Sequence, residues 1–190
     1  MTDKKLQTST LSIWLGNKVS LRAVEPDDWA VLHANDADTE AQRSGYEIPF
    51  PRSEVGSREW AEHEAKAAAD NHHYRFVIER LRDPVVVGTL NTHGCNPRNG
   101  TFEYGIALFR QHWGQGYAKE AIRLALGYFF HELRYQKCTV TVYEFNTPSI
   151  KLHEALGFQA EGRIRRNIYT GGKFYDELIY GLTTEEFERL

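Results

Sequence analysis

The chain has 190 residues, of which 41% are hydrophobic and 26% charged, and its 23 Lys and Arg against 26 Asp and Glu leave a net charge of −3. This length and composition predict one globular domain with a full core and exclude an intrinsically disordered chain. A slightly acidic chain is a poor match for direct nucleic-acid binding, which needs a concentrated basic face.

The sequence also limits the compartment and the cofactors that we expect. No apolar run is long enough to span a bilayer, and the first ten residues lack the apolar stretch of a secretory signal. Cys95 and Cys138 form no zinc-binding or disulfide pattern. We therefore expect a cytoplasmic protein with no membrane partner and no metal.

Hydrophobic periodicity and turn residues predict eight strands and four helices in the order β-β-α-α-β-β-β-α-β-α-β-β. The predicted strands span residues 11–15, 18–24, 74–79, 85–91, 101–108, 138–143, 158–168 and 173–182. The first predicted helix begins at Pro26, the second runs from Ser53 or Ser57 to Asp70, and the third spans residues 117–131. The fourth has Thr147 as its N-cap and Pro148 in its first position. Residues 36–52 are predicted to be irregular.

Three features of this order predict the architecture. The strand, helix and strand of residues 101–143 predict one right-handed parallel crossover in a mostly antiparallel sheet. Gly171-Gly172 predicts the turn of a final hairpin. We expect a flexible tail over residues 1–10, a single domain over residues 11–183 and a C-terminal tail over residues 184–190.

The most informative segment is residues 103–120, where Gly114 and Gly116 lie between a predicted strand ending near Leu108 and a predicted helix beginning near Tyr117. Glycines let main-chain amides approach a ligand closely, and the first turn of a helix leaves its amides unpaired with a dipole that favours an anion. The segment suits a pyrophosphate, although a plain tight turn is equally compatible with two glycines. It matches neither the Rossmann fingerprint nor a Walker loop.

Two motifs carry a resemblance to a known family. Residues 111–116, Gln-x-x-Gly-x-Gly, resemble the Q/R-x-x-G-x-G/A signature of the GNAT superfamily of acyl-CoA-dependent N-acetyltransferases. Residues 146–158 are similar to its second motif, N-x-x-S/A-x-x-L-Y-x-x-x-G-F. Features typical of the RimJ/RimL-type branch are Leu21-Arg22, Asp27-Asp28, Glu161-Gly162 and the Gly-x-x-x-Asp of residues 172–176. The resemblance covers about residues 11–182 and implies an α+β fold with helices on both faces of one twisted sheet.

The resemblance implies acetyl-CoA as cosubstrate. Main-chain groups at the end of the fourth strand of the family fold would bind the pantetheine arm like an added β-strand, and amides of residues 111–118 would bind the pyrophosphate. The implied binding residues are Ile106, Ala107, Leu108, Gln111, Trp113, Gly114, Gln115, Gly116, Tyr117, Ala118, Lys119, Asn146 and Ser149. Asn146 could instead be a helix cap, and Trp113 could simply pack the turn.

Acetyl transfer to an amine requires a base for the ammonium and an acid for the departing thiolate. Glu103 is the predicted base, acting through a water, although a plain surface carboxylate is the other interpretation. His153 stands where the family usually has a tyrosine acid, one helical turn after Ser149. His153 could protonate the thiolate or only pack beside its neighbours, and Ser149 could meet the sulfur instead.

The acceptor is less defined by the sequence. Residues 36–64 contain eight acidic side chains against three arginines, which would attract a polyamine, an aminoglycoside-like amine or a protein N-terminus, or would form only a solvated helix face. Arg163, Arg165, Arg166 and Lys173 make the final hairpin basic, for an acidic partner or a homodimer contact. The predicted function is acetyl-CoA-dependent N-acetylation of a primary amine by direct attack. The alternative is a domain that senses acyl-CoA without turnover.

Overall fold

Seven strands form one sheet in the computed structural model, which describes residues 12–45 and 47–190. In chain order they are β1 (Val19–Arg22), β2 (Tyr74–Arg80), β3 (Val85–Asn96), β4 (Thr101–Leu108), β5 (Lys137–Tyr143), β6 (Gln159–Thr170) and β7 (Lys173–Thr183). Their order across the sheet is β1-β2-β3-β4-β5-β7-β6. Only β4 and β5 pair in parallel among these strands. The predicted parallel crossover in a mostly antiparallel sheet is therefore confirmed.

The helices of the described chain cover both faces of this sheet, as the resemblance implies. They are α1 (Trp29–Asp36), α2 (Thr39–Arg43), α3 (Glu54–Lys66), α4 (Tyr117–Gly127), α5 (Thr147–Glu154) and α6 (Thr184–Phe187). Alternate residues of a strand point to opposite faces, so neighbouring side chains of one strand enter different cores. In β2, Ile78 packs in the core formed with α4, whereas Val77 packs with Ala61 of α3. We call these two sides of the sheet the α4 face and the α3 face.

The larger core lies on the α4 face and is rich in aromatic side chains. Phe102 of β4 stacks on Phe129 with ring centroids 4.1 Å apart. Leu156 and Phe158, which follow α5, are buried in the same core and place α5 on this face. Helices α4 and α5 are thus both anchored by burial on one side of the sheet.

Several predicted elements differ at the N-terminal end. The strand predicted over residues 11–15 is wrong for the described residues 12–15, which form a turn with one isolated bridge, Leu15 to Ser20; residue 11 lies outside the described residues. Residues 36–52 are not wholly irregular, because α2 begins where the Asp38 carboxylate accepts a hydrogen bond from the Ala41 amide. The helix predicted to reach Asp70 ends at Lys66, since the chain must turn through positive-φ residues Asn71 and His72 into β2.

The later elements follow the prediction more closely. The helix predicted over residues 117–131 is α-helical to Gly127 and continues as one π-helical turn, Tyr128–Glu132. The N-cap of α5 is Asn146 rather than Thr147, so Pro148 occupies the second position. The hairpin turn at Gly171-Gly172 is confirmed, with φ values of +57° and +79°. Residues 184–190, expected to be a tail, begin with α6, which is closed by a capping box at Thr183.

Candidate active site

The parallel strands β4 and β5 separate halfway along their length. Their register runs from Thr101 with Lys137 to Glu103 with Thr139 and stops there, although β4 continues to Leu108 and β5 to Tyr143. On its other side β4 stays paired with β3 as far as Leu108. The edge of β4 after Glu103 therefore faces an opening in the sheet, and an extended ligand could pair with it.

Ile106, Ala107 and Leu108 form the end of this open edge. They pair with Leu90, Thr89 and Gly88 of β3. The approach of the two strands is close, because a Cβ on Gly88 would collide with the Ala107 carbonyl oxygen. The Leu108 carbonyl accepts a hydrogen bond from the Trp113 indole at 2.8 Å, which ties the strand end to the following turn.

The two predicted glycines lie at the N-terminus of α4 in the left-handed region. Gly114 has φ +73° and Gly116, the N-cap, has φ +81°. Residues 113–116 are all exposed. A Cβ added to Gly114 would meet no atom within 4 Å, so the glycine is required by its backbone conformation and not by crowding. The exposed turn and the free amides of the first helical turn form a cradle for an anion.

Contacts with the start of β1 hold this turn in place. The Glu120 carboxylate of α4 accepts hydrogen bonds from the amides of Asn17, Lys18 and Val19 at 2.9, 2.7 and 2.8 Å. The Lys18 ammonium donates to the Gln115 carbonyl at 3.0 Å and would lie 3.1 Å from a Cβ on Gly116. The cradle is therefore built against a second, distant segment of the chain.

Other residues predicted around the turn have separate partners. Trp113 is 44% exposed, so its ring remains available although its indole N–H is used. The main-chain oxygen of Gln111 accepts from the Gln115 side chain at 3.4 Å. Lys119 donates to the Ala155 carbonyl at 3.1 Å and joins α4 to the end of α5. Tyr117 is buried in the core, and Ala118 is half-buried.

Asn146 is used within the protein. Its Oδ1 accepts from the Ser149 amide at 3.2 Å, and its Nδ2 donates to the Ser44 carbonyl at 3.0 Å. This geometry favours the helix-cap interpretation over a contact with pantetheine.

His153 is 3% exposed and packs between Tyr104 and Phe158, with ring centroids 5.9 and 5.2 Å away. Its Nδ1 lies 2.8 Å from the Ser149 carbonyl oxygen and 3.3 Å from Ser149 Oγ. Burial lowers the pKa of His153 below its usual 6.5, so the ring is neutral at neutral pH. A neutral ring whose proton is on Nδ1 has none on Nε2, which favours packing over the role of acid.

Glu103, the predicted base, lies on the α3 face at the last paired position of β4. Its side chain is 42% exposed, and its Oε2 lies 3.9 Å from His93 Nδ1. Glu103 thus combines access to solvent with a place where the sheet opens, as a base acting through water requires. The structure brings Glu103 to the opening but separates it from His153, which lies on the other face.

Tyr104, which no motif of the sequence singles out, lies next to the opening. It is 6% exposed, follows Glu103 directly and points to the α4 face, so it resembles an ordinary core residue of a strand. Its hydroxyl finds no hydrogen-bond partner in the described chain. No local sequence signal distinguishes such a tyrosine from one with a bonded hydroxyl.

The acidic and basic segments are partly neutralised. Asp38 forms a two-contact ion pair with Arg110, which lowers the pKa of the Asp38 carboxyl. Arg163 bridges Glu144 and Asp176. The exposed acids of the acidic segment are Asp36, Glu40, Glu47, Glu54, Glu59 and Glu62.

The cysteines offer no nucleophile, because burial raises the pKa of Cys95 to about 11 and that of Cys138 well above its usual value. In residues 12–45 and 47–190, no group of three or more His, Cys, Asp or Glu is arranged to hold a metal ion. No helix of that part has the length and apolar character to cross a membrane.

Comparisons with known proteins agree on one family. A family model described as an acetyltransferase (GNAT) domain matches residues 18–159. The SPbeta prophage-derived uncharacterized N-acetyltransferase YokL of Bacillus subtilis is 42% identical over 178 residues, 94% of this chain and 97% of that protein. Spermidine N(1)-acetyltransferase of Vibrio cholerae is 26% identical over 162 residues, 85% of this chain and 91% of that protein.

A solved structure extends the likeness of fold. The spermidine N-acetyltransferase from Vibrio cholerae in complex with CoA and spermine matches with a TM-score of 0.78. It is 23% identical, and the match covers 91% of this chain and 99% of that one.

Proposed function

Because this chain belongs to the GNAT family of acetyltransferases and is on that ground an N-acetyltransferase, we propose that it moves the acetyl group of acetyl-CoA to a primary amine of a small polycation. The transfer is a direct attack with both substrates bound. The observation that carries the proposal is the opening between β4 and β5, with the glycine turn of α4 at its end.

The residues present fit acetyl-CoA. The exposed turn of residues 113–116 offers main-chain amides to the pyrophosphate, and the free edge of β4 after Glu103 offers a strand-like partner to the pantetheine arm. Acetyl-CoA supplies the acyl group already activated as a thioester. This chain then has to orient the thioester, remove a proton from the ammonium and stabilise the leaving sulfur.

Glu103 is the group that we assign to the ammonium. It is partly exposed on the α3 face, at the apex of the opening, and its carboxylate attracts a cation. Deprotonation through a water gives the neutral amine that attacks. His93, 3.9 Å away, lies where it can hold the carboxylate in place.

Two observations support a small polycation as acceptor. Six acids of residues 36–64 remain exposed, so the surface near α2 and α3 attracts positive charge. Among the relatives are spermidine N(1)-acetyltransferases. A protein N-terminus stays the competing acceptor that the sequence predicts, and homodimer formation stays a prediction.

The test is a panel of amines. Purified protein is incubated with acetyl-CoA and spermidine, spermine, an aminoglycoside or a short peptide, and released thiol and product mass are followed together. We expect thiol release that depends on a polyamine and a product one acetyl group heavier. Acetylation of the peptide alone would overturn the proposal that the acceptor is a small polycation. Binding of acetyl-CoA without turnover on any amine would support the sensing alternative.

A further inference from the structure

Two buried polar atoms on neighbouring rings lack a partner in the described chain: Tyr104 Oη and His153 Nε2. The rings lie 5.9 Å apart, with their planes inclined by 28°. Their side chains belong to residues that are only 6% and 3% exposed. A buried donor or acceptor left unpaired costs about 1–3 kcal/mol, so such a pair calls for a ligand that completes it.

The chemistry of the missing ligand follows from the proton positions. The Ser149 carbonyl can only accept, so His153 donates from Nδ1 and its Nε2 carries a lone pair. The Tyr104 hydroxyl is protonated, because burial raises the pKa of Tyr104 well above its usual value. The pair therefore presents one donor and one acceptor. A thiol, which accepts through sulfur and donates through S–H, matches both.

The position of the pair indicates which thiol. Tyr104 is the first residue of β4 after the last pair with β5, so it marks the apex of the opening on the α4 face. Glu103 marks the same apex on the α3 face, because adjacent residues of a strand point to opposite sides. A base and a donor thus lie on opposite faces of the sheet at one level of the opening.

We propose, on the basis of the proposed function, that Tyr104 Oη and His153 Nε2 receive the sulfur of CoA. The Tyr104 hydroxyl donates to the sulfur as it leaves, and His153 Nε2 accepts the S–H of the product. Tyr104 is then a catalytic residue. It acts as the acid for the departing thiolate, the role for which the sequence made His153 a candidate.

The N–C bond forms and the C–S bond breaks, with its electron pair remaining on sulfur. Counted from the ammonium, the nitrogen gives up two protons, one to Glu103 before it attacks and one after the N–C bond has formed, and both pass on to water. The sulfur takes the proton of Tyr104 Oη. Tyr104 regains a proton from water once CoA has left.

Tyr104→Phe tests the proposal, since it keeps the ring and removes only the hydroxyl. Calorimetry compares CoA with desulfo-CoA, in which hydrogen replaces the thiol. We expect the wild-type preference for CoA to fall on the order of 3- to 10-fold in Tyr104→Phe, the size of one hydrogen bond. Turnover should fall by roughly 10²-fold. Without ligand, the melting temperature should stay equal or rise, because an unpaired buried hydroxyl has been removed.

Tyr180→Phe is the matched control. Tyr180 is equally buried, at 6% exposure in the same core, but its hydroxyl contacts Glu154 at 3.4 Å. That variant should keep the wild-type preference for CoA over desulfo-CoA. His153→Asn keeps a donor for the Ser149 carbonyl and removes Nε2. This variant should reduce the preference for CoA over desulfo-CoA as Tyr104→Phe does.

The outcomes separate the two proposals. Wild-type protein that fails to bind CoA overturns the proposed function. Wild-type protein that binds CoA and acetylates an amine, with Tyr104→Phe unchanged in both CoA preference and turnover, overturns the assignment of the sulfur to Tyr104 and His153.

Discussion

Replacing Gly114 by alanine tests whether the turn before α4 binds the pyrophosphate through its main chain. Gly114 has φ +73°, and a Cβ there meets no atom within 4 Å, so the substitution adds backbone strain and no collision. Left-handed backbone costs an alanine about 1–2 kcal/mol. The turn either keeps its conformation at that cost or relaxes, and relaxation reorients the amides of the cradle.

Gly172 provides a control with the same local geometry. Its φ is +79°, a Cβ there also meets nothing within 4 Å, and it lies in the hairpin turn between β6 and β7. Gly172→Ala should therefore lower the free energy of unfolding by a similar amount, about 1–2 kcal/mol. Urea unfolding of both variants measures that shared cost and separates it from the effect on the ligand.

The expected difference appears in cofactor affinity. Calorimetric titration with CoA should show a dissociation constant raised at least about 10-fold in Gly114→Ala, equivalent to ~1.4 kcal/mol. Gly172→Ala should bind as the wild type does. Equal affinity for CoA in the two variants, with equal stability, would refute the main-chain cradle and leave Gly114 as an ordinary turn residue.

Three further predictions address other parts of the molecule. Glu103→Gln should lower kcat/KM by about 10²-fold while leaving the affinity for CoA unchanged, and full activity across pH 6–9 would make Glu103 a plain surface carboxylate. Burial lowers the pKa of His153, so the unfolded chain protonates this side chain more readily than the folded chain does. The contribution of His153 to the free energy of unfolding is therefore full above pH 6.5 and is lost as the pH drops below it. Urea unfolding repeated at each pH should show a smaller loss in His153→Asn. Glu120→Ala removes the acceptor of three amides at the start of β1 and should lower the free energy of unfolding in urea by at least about 1.5–3 kcal/mol. A loss within about 0.5 kcal/mol, the ordinary range for surface substitutions, would show that the amides bind water instead.

The elements that can be predicted from the sequence are those whose signals are local. Strand β4 has the predicted bounds. The glycine pairs at 114 and 116 and at 171 and 172 form turns, because glycine itself tolerates a positive φ. The length of α3 could not be predicted, since Ala67 to Asp70 favour a helix by composition. Its end depends on the turn that carries the chain into β2.

The sequence by itself determined the family, the parallel crossover and the turn before α4, because each depends on residue types at fixed spacing. The tertiary structure decided the state of the polar side chains. The Asn146 side chain donates a hydrogen bond to the carbonyl of Ser44, which is 102 residues away. His153 is neutral because the surrounding core buries its ring. Tyr104 stands beside His153 only because α5 folds onto the α4 face. Hydrogen-bond partners and desolvation arise between segments far apart in the chain, so spacing along the sequence does not encode them.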